Sequence, residues 1–284
     1  MNSDTENRFA FGKNWQKYST VVSEKRIQDA VSHLQNMLQV TRLDGKTFLD
    51  IGSGSGIFSL AACRLGAKVH SFDYDANSVK ATESIRQRYY TSQGKPEDQW
   101  IVEQGSVLDT DYMKSLGTFD IVYSWGVLHH TGSQWDAIDA ASKAVVPEGQ
   151  LFIALYNDQG IFSRMWKQVK KTYVSGRYGR YAMTMLFIPL AAIAECTRGL
   201  LKHRNPFYTF SNYKTRGMTP FYDWFDWIGG YPFEVSKPED VVDYLVNRSF
   251  LLQKITTVGG GLGNNQFVFI NKTKNTQTSC PNSF

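Results

Sequence analysis

One stretch narrows the folds open to this 284-residue chain more than any other: Phe48-Leu49-Asp50-Ile51-Gly52-Ser53-Gly54-Ser55-Gly56. An apolar run enters it and a glycine-paced turn follows. Ile57-Phe58-Ser59-Leu60-Ala61-Ala62 then starts a helical pattern that runs to Leu65, with Gly66 as its C-cap. A strand that ends in a glycine turn and feeds a helix N-terminus is the local architecture of a nucleotide-type cofactor loop. Glycine suits it because the chain must turn sharply and a ligand must reach the backbone with no Cβ in the way. A purely structural turn would use the same residues, so the neighbours must decide between the two.

Spacing separates the cofactor classes. A dinucleotide fingerprint counted from Gly52 would need its third glycine at position 57, which is Ile57. Here the glycines stand at 52, 54 and 56, with Asp50 two residues before the first. This D-x-G-x-G-x-G pattern resembles motif I of the class I S-adenosylmethionine (SAM) methyltransferases, in which the loop wraps the methionine half of the cofactor. The resemblance implies S-adenosyl-L-methionine as cofactor, S-adenosyl-L-homocysteine as product, and Asp50, Gly52, Ser53, Gly54 and Gly56 as cofactor contacts.

The second strand, Lys68–Phe72, ends at Asp73-Tyr74-Asp75, and Asp73 lies 21 residues beyond Gly52. An acid there can take two hydrogen bonds from a ribose diol, with Tyr74 beside it. Asp73 could instead cap the following helix, a role Asp75 could also fill. After a third strand, Trp100–Glu103, come Gly105, Ser106 and Val107. By resemblance Ser106 faces the adenine amino group, where many members carry Asp, and Val107 lies on the ring. Phe119-Asp120-Ile121-Val122-Tyr123-Ser124 resembles motif IV and leads into Trp125-Gly126-Val127-Leu128-His129-His130. A helix over 135–145, the turn Val146–Gln150 and the strand Leu151–Leu155 resemble motif VI. Four matches in order span about 110 residues.

The implied fold is α/β, a Rossmann-like, mostly parallel seven-stranded sheet with helices on both faces. Leu251–Val258 and Gln266–Ile270 would be its last two strands, an antiparallel pair. Everything between the fifth and sixth strands is then a helical, aromatic insertion. The expected organisation is a lid and helix over 1–40, a SAM-binding core over 41–158, an acceptor-binding insertion over 159–247, the final core strands over 248–271 and a disordered tail over 272–284. In the first segment Phe9, Phe11, Trp15 and Tyr18 are too many rings for a free tail. They imply packing on the domain or a lid, with Trp15 over the cofactor.

The insertion is where charge concentrates. Between Gly160 and Gly217 there are 11 Lys and Arg residues against one acid, Glu195, in a chain of net charge +5. A helix over 162–174 places Phe162, Met165, Trp166, Val169 and Tyr173 on one side, with Lys167, Lys170 and Lys171 elsewhere. The segment 181–201 is almost wholly apolar, and such stripes are usually core. Its basic flanks leave open an apolar acceptor pocket or a surface against a bilayer. Downstream, Asp223, Asp226 and Trp227 sit in a dense aromatic run and are candidate acceptor contacts, or members of an aromatic mini-core. Tyr156 and Asn157, just past the fifth strand, join them as candidates.

Methyl transfer needs an aligned acceptor and, for a hydroxyl, a base. His129 and His130 are the bases that the methyl-facing loop offers, and one of such a pair usually points inward. The expected reaction is methylation of a small-molecule oxygen, the acceptor being lipid-linked or glycosidic. N- or C-methylation, RNA methylation and a non-catalytic SAM-binding partner subunit are the competing readings. RNA is disfavoured because the tetrapeptide of the base N-methyltransferases is missing after the fourth strand, and an NAD oxidoreductase is disfavoured by Ile57. The chain is similar to the ubiquinone-biosynthesis O-methyltransferases, whose loop carries carboxylates where this one has Gly126 and His129, so no metal is expected. Three cysteines form no C-x-x-C, which excludes a disulfide framework or thiolate zinc site. With the polar start Met1–Arg8 they suit the cytoplasm, with peripheral contact at the inner membrane surface.

Overall fold

The computed structural model describes residue 9 and residues 12–208 and 220–273. Phe11, the tail beyond residue 273 and the side chains of Asp223 and Asp226 lie outside the described part. Seven strands form one sheet in the order β3-β2-β1-β4-β5-β7-β6. They are β1 Thr47–Ile51, β2 Lys68–Asp73, β3 Trp100–Gln104, β4 Phe119–Trp125, β5 Val145–Tyr156, β6 Phe250–Thr256 and β7 Asn264–Asn271. Pairing is parallel from β3 through β5, and β7 runs antiparallel to both its neighbours. The last two strands therefore form the expected antiparallel pair, with β7 inserted between β5 and β6 as the one reversed strand.

Alternation along the strands supplies two cores. Phe48, Tyr123 and Phe152 face α2 (Glu24–Leu38), α3 (Ile57–Leu65) and α4 (Ala76–Tyr89), whose buried residues include Leu34, Leu60 and Ile85. Leu49, Ile51, Val122 and Ile153 face α5 (Thr110–Leu116) and α6 (Gln134–Lys143), with Met113 and Ile138. The chain leaves β1 toward β2 on one side and returns to β4 on the other. The carboxyl ends of β1 and β4 thus flank the switch point, where open α/β sheets bind their ligands.

A buried relay holds β1, α3, β2 and β3 together under the glycine loop. Trp100 Nε1 donates to Ser71 Oγ (2.8 Å), Ser71 Oγ donates to Ser59 Oγ (2.8 Å), and Ser59 Oγ donates to Asp50. At the opposite edge, Asp120 of the motif IV phrase accepts from Lys46 Nζ and from the backbone and hydroxyl of Thr47. Asp120 therefore staples β4 to the start of β1, away from the ligand edge.

The sequence pattern missed several elements. α1 (Gly12–Thr20), α5 and α9 (Pro220–Gly229) are helices that it did not announce. All three are ten residues or shorter, so each offers only about two or three turns over which an apolar spacing could repeat. β5 begins at Val145 and absorbs the Pro147-Glu148-Gly149 turn, with Glu148 at φ 61°. Between β5 and β6 lie α7 (Ile161–Val174), α8 (Arg177–His203), α9 and α10 (Pro238–Val246). The apolar segment expected as core is α8, and it is mostly exposed. Lys170, placed by the pattern away from the apolar face of α7, is wholly buried.

The relay can be tested by replacing Ser71 with Ala, which leaves the buried Trp100 N–H unpaired. Loss of about 1–3 kcal/mol of unfolding free energy is expected in chemical denaturation, and an unchanged midpoint would show that the relay contributes nothing.

Candidate active site

The glycine loop is built as its spacing demands. Gly52, Gly54 and Gly56 have φ of 76°, 55° and 77°, a left-handed backbone that favours glycine. A Cβ on Gly52 would lie 2.5 Å from Val127 of the loop after β4, and one on Gly56 would lie 2.9 Å from the Thr82 backbone. The N–H groups of Gly52 and Ser53 donate to Phe72 O at the end of β2 (2.8 and 3.1 Å). Ser53 Oγ shares a hydrogen with Thr82 Oγ1 (2.9 Å). Asp50 faces the relay beneath, where burial pushes its carboxyl up to about 7, against the lowering by Ser59.

Asp73 closes the loop from β2. Its Oδ2 accepts the Gly54 N–H (3.0 Å) and its Oδ1 the Asp75 N–H (2.9 Å). Burial raises the Asp73 carboxyl to about 6, while those two N–H bonds pull it back. Asp75, not Asp73, caps α4, accepting from the Asn77 N–H at 2.8 Å. Asp73 is thereby released from capping, and two carboxylate oxygens that each accept one N–H retain lone pairs for a diol.

The N-terminal segment lies across this loop. Gly12 N–H donates to Asp75 Oδ2 (2.9 Å). The Trp15 ring stands where a Cβ on Gly54 would come within 3.2 Å. Phe9 donates its N–H to Tyr231 O (3.0 Å) and reaches the Tyr173 ring at 6.3 Å. The segment thus bridges the insertion and the cofactor loop, as a lid would. At the far side, Tyr74 is 56% exposed beside Asp73, Ser106 Oγ accepts the Leu108 N–H (3.3 Å), and Val107 is buried with the α5–α6 core.

The histidine pair divides by which nitrogen is engaged. His129 is fully buried, and its Nδ1 accepts the Tyr156 N–H at 3.2 Å, so its lone pair is used. Its Nε2 then carries the proton and has no partner among the described residues. Burial first, then the charges of His130 and Lys170, push its pKa far down. It is a fixed neutral ring 4.0 Å from the Tyr156 ring at a tilt of 34°, and it lacks the lone pair of a base. His130 is half-buried, and its Nδ1–H donates to Pro232 O at 2.6 Å, since a carbonyl can only accept. That bond puts the lone pair of His130 on Nε2.

Around the pair the insertion is stitched to the strand ends. Glu234 N–H donates to His129 O, and Ser236 N–H to Tyr156 O (both 3.0 Å). Burial raises the Glu234 carboxyl above the usual range, while the backbone N–H groups of Gln134 and Gly132, around the start of α6, pull it back. Trp227 of α9 stands edge-on to Tyr156 at 5.8 Å, and Phe233 lies 5.4 Å from Tyr156. Lys170 donates to Trp227 O and sits over the rings of Trp227 (4.5 Å) and Phe233 (4.9 Å), clamping α7 to α9. Its spacing after Trp166 and before Tyr173 was the signal for this inward face. Asn157 is structural rather than acceptor-facing. Its amide donates to Gly259 O and Gly261 O, and its Oδ1 accepts from Asn265. Trp125 Nε1 donates to Gln266 Oε1 (3.3 Å), and buried Asn264 Oδ1, beside Gly126, has no hydrogen-bond partner among the described residues. Sequence reasoning overlooked Asn264 and Pro232 because their roles arise only through tertiary contact, and Lys170 because its charge was read over its inward spacing.

A sheet of this order with a glycine loop, a second-strand acid and a polar loop after β4 defines a class I SAM-dependent methyltransferase fold. The chain belongs to the methyltransferase-domain family, whose model matches residues 23–199. It is 30% identical over 139 residues to the mitochondrial ubiquinone biosynthesis O-methyltransferase of Schizosaccharomyces pombe, covering 44% of this chain and 48% of that protein. It is 33% identical over 116 residues to the ubiquinone biosynthesis O-methyltransferase of Thiobacillus denitrificans, covering 40% and 46%. The chain thus spans less than half the length of these relatives. Among solved structures, it superposes on the magnesium protoporphyrin IX methyltransferase of Synechocystis with bound SAM at a TM-score of 0.54. Identity there is 12%, with 95% of this chain and 98% of that one covered.

The cofactor of this class is S-adenosyl-L-methionine, and the glycine backbone and the unused lone pairs of Asp73 fit it. Ribose hydroxyls donating to Asp73 favour its ionised form, so SAM affinity should fall as pH drops below about 6, by up to tenfold per unit. Asp73→Asn should flatten that profile in calorimetric titration and weaken binding roughly 10- to 100-fold at pH 8.

Proposed function

We propose that this protein moves a methyl group from SAM to an oxygen of a small-molecule acceptor, with His130 as the general base. The observation that carries the reading is the His130–Pro232 hydrogen bond, which orients a ring nitrogen lone pair on the loop after β4. The ubiquinone-biosynthesis relatives, O-methyltransferases by name, support oxygen as the acceptor atom.

Gly52, Ser53, Gly54 and Gly56 would hold the methionine half and Asp73 the ribose, with Trp15 above and Tyr74, Ser106, Val107 and Trp125 around the remainder. When bound, SAM supplies a methyl group already activated on a sulfonium, so the protein contributes alignment and proton removal. Alignment alone can supply about 7–11 kcal/mol. Tyr156, Trp227 and Phe233 would exclude water and hold an apolar acceptor. His130 Nε2 would take the hydroxyl proton as the oxygen attacks, leaving an imidazolium steadied by the Pro232 carbonyl. His129 positions Tyr156 by accepting its N–H. Asp223 and Asp226, on α9 with Trp227, are further acceptor contacts in this reading. An amphiphilic acceptor, lipid-linked or glycosidic, matches the aromatic lining.

Replacing His130 with Ala should cut kcat roughly 10²–10⁴-fold while SAM affinity stays within about twofold. Undiminished turnover would remove His130 from the base role. With isotopically labelled SAM and cell extract, label is expected in a hydroxylated small molecule; label confined to RNA would overturn the proposal.

A further inference from the structure

The exposed apolar surface of α8 is out of place on a soluble domain. Tyr178, Tyr181, Met185, Leu186, Leu190, Ile193, Leu200 and Leu201 are all exposed, with Met185 at 74%, Ile193 at 63% and Leu201 at 79%. Their spacing follows the helix, so they form one stripe along its length rather than scattered points. The helix has 27 residues and is long and apolar enough to cross a membrane, yet its most apolar 18-residue window is only 6% buried. Positive charge brackets the stripe. Arg177 and Arg180 open the helix, Arg198 and Lys202 lie in its last turns, and Arg204 follows it. Its one acid, Glu195, is paired with Arg198.

We infer that α8 lies flat on an anionic lipid bilayer, with its stripe in the acyl boundary and its basic ends on the headgroups. Three observations choose this occupant and this orientation. Phe187, in the uncharged middle of the helix, packs on Trp166 of α7 at 5.3 Å. A span would need that middle surrounded by lipid, whereas a helix lying in the interface keeps one face on its protein. Along and just beyond the helix Arg177, Arg180, Lys202 and Arg204 are exposed, which suits anionic headgroups. A second copy seated on the stripe would bring two like-charged sets of basic residues together, which costs free energy that an anionic surface does not.

The geometry connects this surface to the chemistry. Aromatic contacts run from Phe187 to Trp166, from Trp166 to Trp227 (5.7 Å), from Trp227 to Tyr156 (5.8 Å) and from Tyr156 to His130 (5.4 Å). A continuous aromatic cluster thus joins α8 to the loop that carries His130, so a bilayer on α8 lies next to the elements that frame the proposed base.

The test is vesicle co-sedimentation of the full chain, using phosphatidylcholine vesicles with and without phosphatidylglycerol. Sedimentation is expected with the anionic vesicles, reduced in high salt. The triple variant Met185→Glu, Leu190→Glu, Ile193→Glu changes only exposed side chains and should partition roughly tenfold or more weakly. Its SAM affinity, measured in parallel, should equal that of the parent and so report an intact fold. Absence of sedimentation with anionic vesicles, equal sedimentation of the variant, or a lipid-free dimer that the variant disperses would each overturn the inference. Vesicle binding without SAM binding would leave the docking intact and remove the methyltransferase reading instead.

Discussion

The carboxylate of Asp73 is the junction on which the cofactor side of the molecule depends. One oxygen takes the N–H of Gly54 and the other the N–H of Asp75. A single side chain thereby fixes the crest of the glycine loop and presents Asp75 to both α4 and the N-terminal segment. Taking an ionised carboxylate out of water is costly, and its raised pKa records that cost. The cost is tolerable because backbone N–H groups replace part of the lost solvation, and a diol could replace more. The seven-stranded frame brings the partners within reach. β1 and β2 pair in parallel with Ile51 beside Phe72, so the glycine loop and the acid leave the sheet side by side.

On the acceptor side the same economy operates through backbone carbonyls. Pro232 O holds the His130 proton, Trp227 O holds the Lys170 ammonium, and the Tyr156 N–H occupies His129. The first and third join the insertion or the end of β5 to the loop after β4, and the second holds α7 to α9 within the insertion. Lys170 is a buried cation wrapped by two aromatic faces, and its field helps keep His129 neutral. An uncharged His129 can pack against Tyr156 without the solvation demand of a charged ring.

The core was legible where signals are local. The glycine loop, α3 with its Gly66 cap, and the strands β1 to β4 follow from residues within a few positions of one another. Roles that depend on distant partners were not legible. His129 and His130 are adjacent and chemically alike, and only contacts 27 and 102 positions away tell them apart. Asn157 reads as a free polar side chain at a strand end until the Gly259–Gly263 loop folds back onto it. A long apolar run looks the same whether it will be core or surface, because periodicity reports a face and not what covers it. α8 is the case in point: its composition is that of a buried helix and its position is outside.

The bond from His130 to Pro232 has a consequence for how such an enzyme can change its substrate. In the proposed mechanism the peptide that selects the tautomer of the base belongs to the insertion, the same part whose rings would hold the acceptor. Recognition and reactivity would then be inherited together. An exchange of this insertion between relatives would transplant the shape of the cleft, but the chimera would hold a correctly protonated imidazole only if the incoming chain brought a carbonyl to the same place. Divergence in such a lineage should proceed by reshaping side chains around a retained backbone path through Tyr231–Ser236, rather than by wholesale replacement of the segment.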